Sequence, residues 1–134
     1  MELVIGGRAQ GKTEYVKRLH PDAMLFDEAS YPMLLSGDEA FGQDRDIVWN
    51  HFHLAVRRML GEGMGQEEIW ERLRDLQDRI QKLIVISDEI GNGIVPMGRE
   101  ERSYRETTGR LLCLLAGEAD QVTRIVCGIP VPIK

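Results

Sequence analysis

The first thirteen residues, MELVIGGRAQGKT, constrain the fold of this chain more than any other stretch. A short apolar run from Leu3 to Ile5 leads into a segment, Gly6 to Thr13, that fits the pattern G-x-x-x-x-G-K-[ST]. A polyphosphate needs several backbone N–H groups at close range, and glycines let the main chain curl around it because they carry no Cβ. The pattern therefore predicts a strand, a phosphate-binding loop and a helix, in that order.

Each position of this loop has an expected role in binding a nucleotide and a metal ion. Gly6 and Gly11 supply the curl, and the ammonium group of Lys12 can follow the β- and γ-phosphates. The hydroxyl of Thr13 is expected to bind Mg²⁺, and the helix that begins near Gly11 directs its positive end at the same anion. The predicted nucleotide-binding residues are Gly6, Gly7, Arg8, Ala9, Gln10, Gly11, Lys12 and Thr13.

The neighbours of the loop separate two interpretations of it. A glycine-rich turn that binds nothing would need no particular context. Here a β-branched run precedes the loop, and Tyr15, Val16 and Leu19 follow it at helical spacing. We therefore favour a loop that binds ATP or GTP with Mg²⁺.

Composition limits what else the chain can be. Its 134 residues, 43% of them hydrophobic, suffice for one core, so we expect a single domain over residues 1–134. A net charge of −5 argues against nucleic acid as a partner, because binding to a phosphate backbone requires a basic face.

No apolar stretch approaches membrane-spanning length, and the opening run is too short for a secretory signal, so we expect a cytoplasmic protein. Cys113 and Cys127 are expected to be buried thiols rather than a disulfide or a zinc site.

Hydrophobic periodicity along the rest of the chain predicts an α/β protein with a P-loop nucleotide-binding fold. Its sheet is expected to be mostly parallel, flanked by helices, with a C-terminal antiparallel hairpin. The predicted strands after the first are residues 23–26, 46–50, 83–87, 123–127 and 131–133, and the predicted helices after the first are 52–60, 66–82 and 99–118. Residues 29–45 show no convincing period and are predicted to be a loop, and residues 90–96 a glycine-punctuated turn. Pro130 and Pro132 mark a sheet edge.

Two acidic residues follow the most apolar of these strands. The run LIVIS, residues 83–87, is typical of a strand buried on both faces of a parallel sheet, and Asp88 and Glu89 come directly after it. Ligands of open α/β sheets lie at the carboxyl ends of the strands, so both carboxylates are predicted to lie near the loop. Asp88 is the candidate for holding Mg²⁺, and Glu89 for orienting or deprotonating an attacking hydroxyl. The alternative is that these acids cap a helix or a turn.

Three arginines are spaced by three on the predicted helix 99–118. Arg99, Arg102 and Arg105 form one stripe, which can grip an anionic substrate or product. Glu101 and Glu106 offer the alternative of ion pairs along the same helix, and that alternative ranks first when the stripe is considered alone.

Three stretches of the chain match the pattern of one enzyme family. They are LVIGGRAQGKT, SDEIGNGIVP at residues 87–96, and positions in the last third, Arg99, Tyr104, Arg105, Glu106, Gly109, Arg110, Ala116, Asp120, Gly128 and Lys134. Together they resemble the adenosylcobinamide kinase/adenosylcobinamide-phosphate guanylyltransferase family of cobalamin biosynthesis. The resemblance covers roughly residues 1–19 and 83–134. It implies a kinase that phosphorylates the aminopropanol hydroxyl of adenosylcobinamide, and a homotrimer. In such a kinase we expect Lys12 and Glu89, assigned above from their positions, to be the catalytic residues.

The chain also departs from that family. The family has an acidic residue where this chain has Asn50, and asparagines where this chain has Asp88 and Leu112. A family segment is absent between the second and third strands, and in the family that segment carries the histidine that accepts the guanylyl group. The resemblance therefore implies the kinase and not the guanylyltransferase. A catalytically degenerate relative that binds nucleotide or a corrinoid is the alternative, and a kinase of another small molecule is a third hypothesis.

The sequence contains three histidines, none of which aligns with the guanylyl acceptor of the family. His20 is placed on the order of 13 Å from the phosphate end of the first helix, at 1.5 Å per residue. His51 and His53 lie just past the end of a predicted strand. They are expected to form a polar strand-to-helix turn, and a nucleophilic role is the alternative.

Overall fold

The computed structural model of the chain describes residues 1–37, 44–90 and 98–134. Of the turn predicted at residues 90–96, all but Ile90 lies outside the described residues. The elements in chain order are β1 Glu2–Gly6, α1 Lys12–Leu19, β2 Met24–Phe26, α2 Tyr31–Leu35, β3 Ile47–Trp49, α3 Phe52–Gly61, α4 Gln66–Arg79, β4 Leu83–Asp88, α5 Arg99–Glu118, β5 Gln121–Val126 and β6 Ile129–Pro132.

The described strands form one six-stranded sheet in the order β2-β3-β4-β1-β5-β6. All neighbouring strands are parallel except β5 and β6, which pair antiparallel around the turn at Cys127 and Gly128. Pro130 and Pro132 lie in the edge strand β6, where a missing backbone N–H is tolerated. The predicted fold class, a mostly parallel sheet with flanking helices and a C-terminal antiparallel hairpin, is confirmed.

Helices cover both faces of the sheet, which explains the uninterrupted apolar run of β4. Leu83 and Val85 face the larger core under the helices after β2, while Ile84 and Ile86 pack with Val16 of α1 on the other face. Every residue from Leu83 to Ser87 is buried. A strand with two buried faces has no solvent side on which polar residues can alternate.

The sheet places a crevice outside the carboxyl ends of two adjacent strands, β1 and β4. β1 and β4 are hydrogen-bonded neighbours, with Gly6 opposite Asp88. The chain leaves β1 into α1 on one face, and α5, the first described helix after β4, lies on the opposite face. Open α/β sheets bind ligands at such a switch point.

The prediction of a loop over residues 29–45 was wrong where α2 forms. Before α2, a carboxylate oxygen of Asp27 accepts hydrogen bonds from the backbone N–H groups of Ala29 and Ser30, at 2.9 and 3.0 Å. The helix then buries Tyr31 and Leu34 in the core. A helix of five residues is too short to show a period, and burial against distant residues stabilises it.

Two smaller predictions also need correction. Helix α4 ends at Arg79 and not at residue 82, because Ile80 adopts an extended conformation. Cys113 and Cys127 are free thiols, as expected, but both are exposed. Cys113 lies between Leu111 and Leu115, which face the core, so it points away from the core, and Cys127 lies in the β5–β6 turn.

The turn before α2 yields a prediction about stability and pH. The backbone N–H of Ala29, and after it that of Ser30, lowers the pKa of Asp27. A carboxyl whose folded pKa is lowered stabilises the fold above its unfolded pKa of about 3.9, and this contribution disappears as pH falls through the folded pKa. Asp27→Ala should therefore reduce the free energy of unfolding by on the order of 1 kcal/mol at pH 7.

Urea unfolding at pH 7 and at several pH values down to 3 tests this expectation. The difference between wild type and Asp27→Ala should shrink below about pH 4. Asp22→Ala, which replaces an exposed aspartate in another turn, is the control and should have little effect. A difference that stays constant as pH falls would contradict the role assigned to the Asp27 carboxylate.

Candidate active site

The predicted phosphate-binding loop follows β1, which lies between β4 and β5 in the sheet. Ala9 and Gly11 adopt left-handed backbone conformations, with φ of 56° and 92°. A Cβ on Gly6 would lie 2.6 Å from the carbonyl oxygen of Ile125 in β5. Gly6 is therefore required by the close approach of a neighbouring strand as well as by the curl of the loop.

The turn of the C-terminal hairpin supports this loop from the side. The side-chain oxygen of Gln10 accepts a hydrogen bond from the backbone N–H of Cys127 at 2.7 Å, and the backbone carbonyl of Gln10 accepts one from Gly128 at 2.8 Å. The Cα of Gly128 lies 3.4 Å from the position that a Cβ on Gly11 would take. Sequence reasoning missed this contact, because residues more than a hundred positions apart leave no local signal.

Lys12 lies at the centre of the site and is only 6% exposed. Its ammonium group donates to the backbone carbonyl of Gly7 at 2.6 Å and pairs with the Asp88 carboxylate at 2.8 Å. The structure thus brings together two of the predicted site residues, one from α1 and one from the end of β4. The ammonium group is held beside the backbone that would surround a phosphate.

Asn50, which directly follows β3, holds the hydroxyl of Thr13. The hydroxyl donates to the side-chain oxygen of Asn50 at 3.2 Å, and the same oxygen accepts the backbone N–H of His51 at 3.0 Å. Asn50 is 6% exposed. An amide at this position can orient the Thr13 hydroxyl without adding a second charge beside Asp88.

His53 is a buried support for Asp88. Its Nδ1 accepts the backbone N–H of Asp88 at 3.1 Å, and its Nε2 lies 3.4 Å from the Asp88 carboxylate. Burial lowers the pKa of His53, and the charges of His51 and Lys12 act in the same direction against the opposing effect of Asp88. The ring is therefore neutral near pH 7 and carries its proton on Nε2. The sequence predicted a polar turn here and missed the contact with Asp88.

These groups line a cleft of about 560 Å³. Its walls are formed by Arg8, Ala9, Gln10, Gly11, Lys12, Thr13, Glu14, Asn50, His51, His53, Leu54 and Asp88. The volume is in the usual range for a small-molecule site, roughly 300 to 1,000 Å³. The loop and the ends of β3 and β4 therefore enclose one continuous space.

The residues of the cleft fit a magnesium ion that is bound together with a nucleotide. Within the described ranges, no group of three or more His, Cys, Asp or Glu side chains is arranged to hold a metal by itself. Mg²⁺ ordinarily takes one or two protein oxygens and completes its shell with phosphate and water. Thr13 and Asp88, both in the cleft wall, supply oxygens of this kind.

Glu89 and the arginine stripe do not line this cleft. Glu89 forms a two-pronged ion pair with Arg124 of β5, at 2.9 and 3.0 Å. Arg99 and Arg102 are exposed at the start of α5. The guanidinium Nε of Arg105 lies 4.0 Å from a carboxylate oxygen of Glu101, so the ion-pair alternative applies to this member of the stripe.

Comparison with known proteins identifies the family of the chain. The family model for cobinamide kinase / cobinamide phosphate guanyltransferase matches residues 39–133. The chain belongs to this family. The resemblance noted in the sequence is thereby confirmed, and the matched region contains β3, β4, α5 and the C-terminal hairpin.

Relatives of the chain carry names from adenosylcobalamin biosynthesis. The bifunctional adenosylcobalamin biosynthesis protein CobU of Salmonella typhimurium is 43% identical over 117 residues, which are 87% of this chain and 61% of that protein. Its counterpart CobP of Pseudomonas aeruginosa is 37% identical over 78 residues, 58% of this chain and 42% of that protein. The chain thus spans less than two thirds of the length of these relatives. The phosphate-binding loop precedes the family-model match, so its assignment depends on its own pattern and geometry.

Proposed function

We propose that the chain binds ATP or GTP with Mg²⁺ and transfers the γ-phosphoryl group to a hydroxyl of adenosylcobinamide, as a kinase of cobalamin biosynthesis. The observation that carries this proposal is the position of the Lys12 ammonium group. It is held within 3 Å of Gly7 and Asp88, in the cleft that the phosphate-binding loop lines. The family and the names of the relatives support the choice of reaction and substrate.

In this proposal the residues of the cleft stabilise charge and position the reactants. The acceptor oxygen forms a bond to the γ-phosphorus while the bond to the β,γ-bridging oxygen breaks, and a nucleoside diphosphate leaves. Lys12 neutralises charge on the transferred group, and backbone N–H groups of the loop hold the phosphates. Thr13 and Asp88 would hold Mg²⁺, which when bound neutralises and orients the β- and γ-phosphates.

The predicted roles of Glu89 and the arginines receive less support from the geometry. The Glu89 carboxylate is engaged by Arg124, which favours a structural role that links the end of β4 to β5. Arg99, Arg102 and Arg105 can still bind an anionic substrate, but they do not line the cleft with Lys12. Arg105 instead borders a groove beside α5, together with Ile90 and Arg110.

The experiment is the transfer of labelled phosphate from ATP and from GTP to adenosylcobinamide. Label in the corrinoid supports the kinase. Tight nucleotide binding without transfer to any acceptor would favour the second candidate, a degenerate binding protein. Asn50 and Leu112, which differ from the family at the positions noted above, motivate that candidate. Transfer to a different small molecule would identify a kinase with another acceptor.

We also predict that the chain forms no covalent guanylyl-histidine. His20 caps the far end of α1, where its ring is paired with Asp46 at 2.9 Å. His53 is buried, and its Nδ1 already accepts the N–H of Asp88. His51 does not align with the guanylyl-accepting histidine of the family that the chain resembles. Guanylyltransferase activity is therefore expected to be lost.

Incubation with α-labelled GTP and Mg²⁺, followed by denaturation, tests this expectation. No label should remain on the protein. Acid-labile, base-stable label that disappears when His51 or His53 is replaced would contradict it. A wild-type protein that was pre-incubated with unlabelled GTP is the control for nonspecific label.

The resemblance also leads us to propose that the chain forms a homo-oligomer, specifically a trimer. From its composition we propose a cytoplasmic protein in which residues 1–134 form a single domain. Exposed apolar side chains on the C-terminal hairpin support an interface: Val126, Ile129, Val131 and Ile133 are each more than 40% exposed. None of the described helices is long and apolar enough to cross a bilayer. A monomer by light scattering at micromolar concentration, with and without nucleotide, would contradict the oligomer.

A further inference from the structure

We propose that His51, oriented by Glu28, is the general base that accepts the proton of the acceptor hydroxyl during phosphoryl transfer. This inference rests on the proposed kinase function and deepens it, because it assigns the proton-accepting atom. The sequence pattern predicts this role for Glu89, but the carboxylate of Glu89 forms an ion pair with Arg124.

The backbone places His51 in the cleft. It directly follows Asn50 at the end of β3 and is the residue before the first turn of α3. Its φ of 54° lies in the left-handed region, which is uncommon for residues other than glycine and recurs at functional sites. The side chain is 44% exposed and lines the same cleft as Lys12 and Thr13. A substrate that fills the cleft can therefore reach the ring.

Glu28 fixes which nitrogen of His51 faces the substrate. The carboxylate of Glu28 lies 2.8 Å from Nδ1 of His51. A carboxylate at this nitrogen holds the Nδ1–H tautomer, which leaves the lone pair of Nε2 available to accept a proton, and it stabilises the imidazolium that results. Glu28 follows β2 and His51 follows β3, so the pair is assembled at the ends of two adjacent strands.

The charged groups around the pair are arranged for this role. The backbone N–H of Ala29 is the main cause of the lowered pKa of Asp27, and the charge of His51 adds to it, so the Asp27 carboxylate also attracts a proton on His51. Arg58 of α3 donates to the backbone carbonyl of Glu28 at 3.2 Å, which fixes the residue and leaves its carboxylate on His51. The ring of His53, 6.0 Å away, is neutral because of its burial. A proton taken up by His51 would thus meet two carboxylates.

Three other described residues of the cleft have side chains that could accept a proton: Asp88, His53 and Glu14. The Asp88 carboxylate pairs with Lys12, and Nδ1 of His53 accepts the backbone N–H of Asp88. Glu14 also lines the cleft, but it is exposed on α1. Among the residues that the structure describes, His51 and His53 are the cleft-lining histidines, and His51 is the one that is half-exposed, with Nδ1 paired to a carboxylate. Glu14 is its rival.

The proposed proton transfer balances with the phosphoryl transfer. As the acceptor oxygen bonds to the γ-phosphorus, its O–H bond breaks and the proton moves to Nε2 of His51. The electron pair of the breaking P–O bond leaves with the nucleoside diphosphate. The imidazolium then loses its proton to water after the product departs, which restores the neutral ring.

The test is the rate of phosphate transfer from ATP to adenosylcobinamide by His51→Asn. Asparagine tolerates the left-handed conformation but cannot accept the proton. We expect kcat to fall by about 100-fold, the lower end of the usual contribution of a general base, while nucleotide affinity stays within about twofold. Free imidazole should restore part of the rate. Glu28→Gln should lower kcat by less, about tenfold, because the ring remains but is no longer oriented.

His20→Asn is the matched control. His20 is also paired with a carboxylate, that of Asp46, but it follows α1 at the amino ends of the strands and does not line the cleft, so its replacement should leave kcat unchanged. If His51→Asn does not fold, His51→Gly serves instead, because glycine adopts the positive φ without strain and leaves room for imidazole.

Several outcomes would overturn the inference. They are an unchanged kcat in the His51 variants, a loss that imidazole does not rescue, or abolition of transfer by Glu14→Gln with no effect of His51→Asn. In each of these the wild-type protein still transfers phosphate, so the proposed kinase stands. A wild-type protein that binds nucleotide but transfers to no acceptor would overturn the kinase and the base together.

Discussion

Lys12→Met is expected to reduce phosphoryl transfer by about 100- to 1,000-fold, the usual loss when one preorganised charge-stabilising donor is removed. Methionine keeps much of the length of the side chain and removes the ammonium group. That group lies 2.6 Å from the Gly7 carbonyl and is almost completely buried, so neither water nor another side chain can replace it easily. Removing it also leaves Asp88 without its closest cation.

Steady-state transfer assays and calorimetric titration with ATP and GTP measure the two parts of this effect. Lys17→Met is the matched control, because Lys17 lies in the last turn of the same helix and is exposed. It should behave as wild type. A Lys12→Met protein with full nucleotide affinity and turnover would contradict the assignment of the loop.

The second large effect is expected from Gly6→Ala. The new methyl group would lie 2.6 Å from the backbone carbonyl oxygen of Ile125, and Ile125 is paired with β1 on one side and β6 on the other, so its carbonyl cannot move without disturbing the sheet. We expect a loss of about 2 kcal/mol in the free energy of unfolding, typical of overpacking, together with weaker nucleotide binding. Urea unfolding and nucleotide titration measure both.

Gly7→Ala separates steric from general effects of glycine replacement. A Cβ on Gly7 would meet the Cγ of Gln10 at 3.5 Å, which is an ordinary contact with a flexible side chain. This variant should therefore lose much less stability than Gly6→Ala. Equal losses in the two variants would contradict the steric account, since the two substitutions are chemically identical.

Much of the fold could be predicted from the sequence, because it depends on local patterns. The helix from Arg99 to Glu118 has the predicted bounds, and the apolar run of β4 is buried on both faces. The spacing of glycines, lysine and threonine predicted a strand, a loop and a helix, and β1 and α1 follow in that order with the loop between them. These features could be predicted because helical periodicity, two-sided burial and turn chemistry depend on residues that are close together in the sequence. The family was identified for the same reason, from short motifs.

The composition of the site was decided by the tertiary structure. Asp88 and Glu89 are adjacent in sequence, yet Asp88 turns into the cleft toward Lys12 while Glu89 pairs with Arg124. Side chains of successive residues at a strand end point in different directions, and the neighbouring strand decides what each one meets.

The contacts that orient the remaining groups join residues far apart in the chain. Glu28 reaches His51 because β2 and β3 are adjacent in the sheet, and Gln10 is held by Cys127 because the hairpin folds back beside the loop. The helix α2 forms for a related reason, since Tyr31 is buried against Trp49. The sequence determined which residues carry suitable chemistry, whereas strand order determined which of them meet, because hydrogen bonds and ion pairs depend on distance in space.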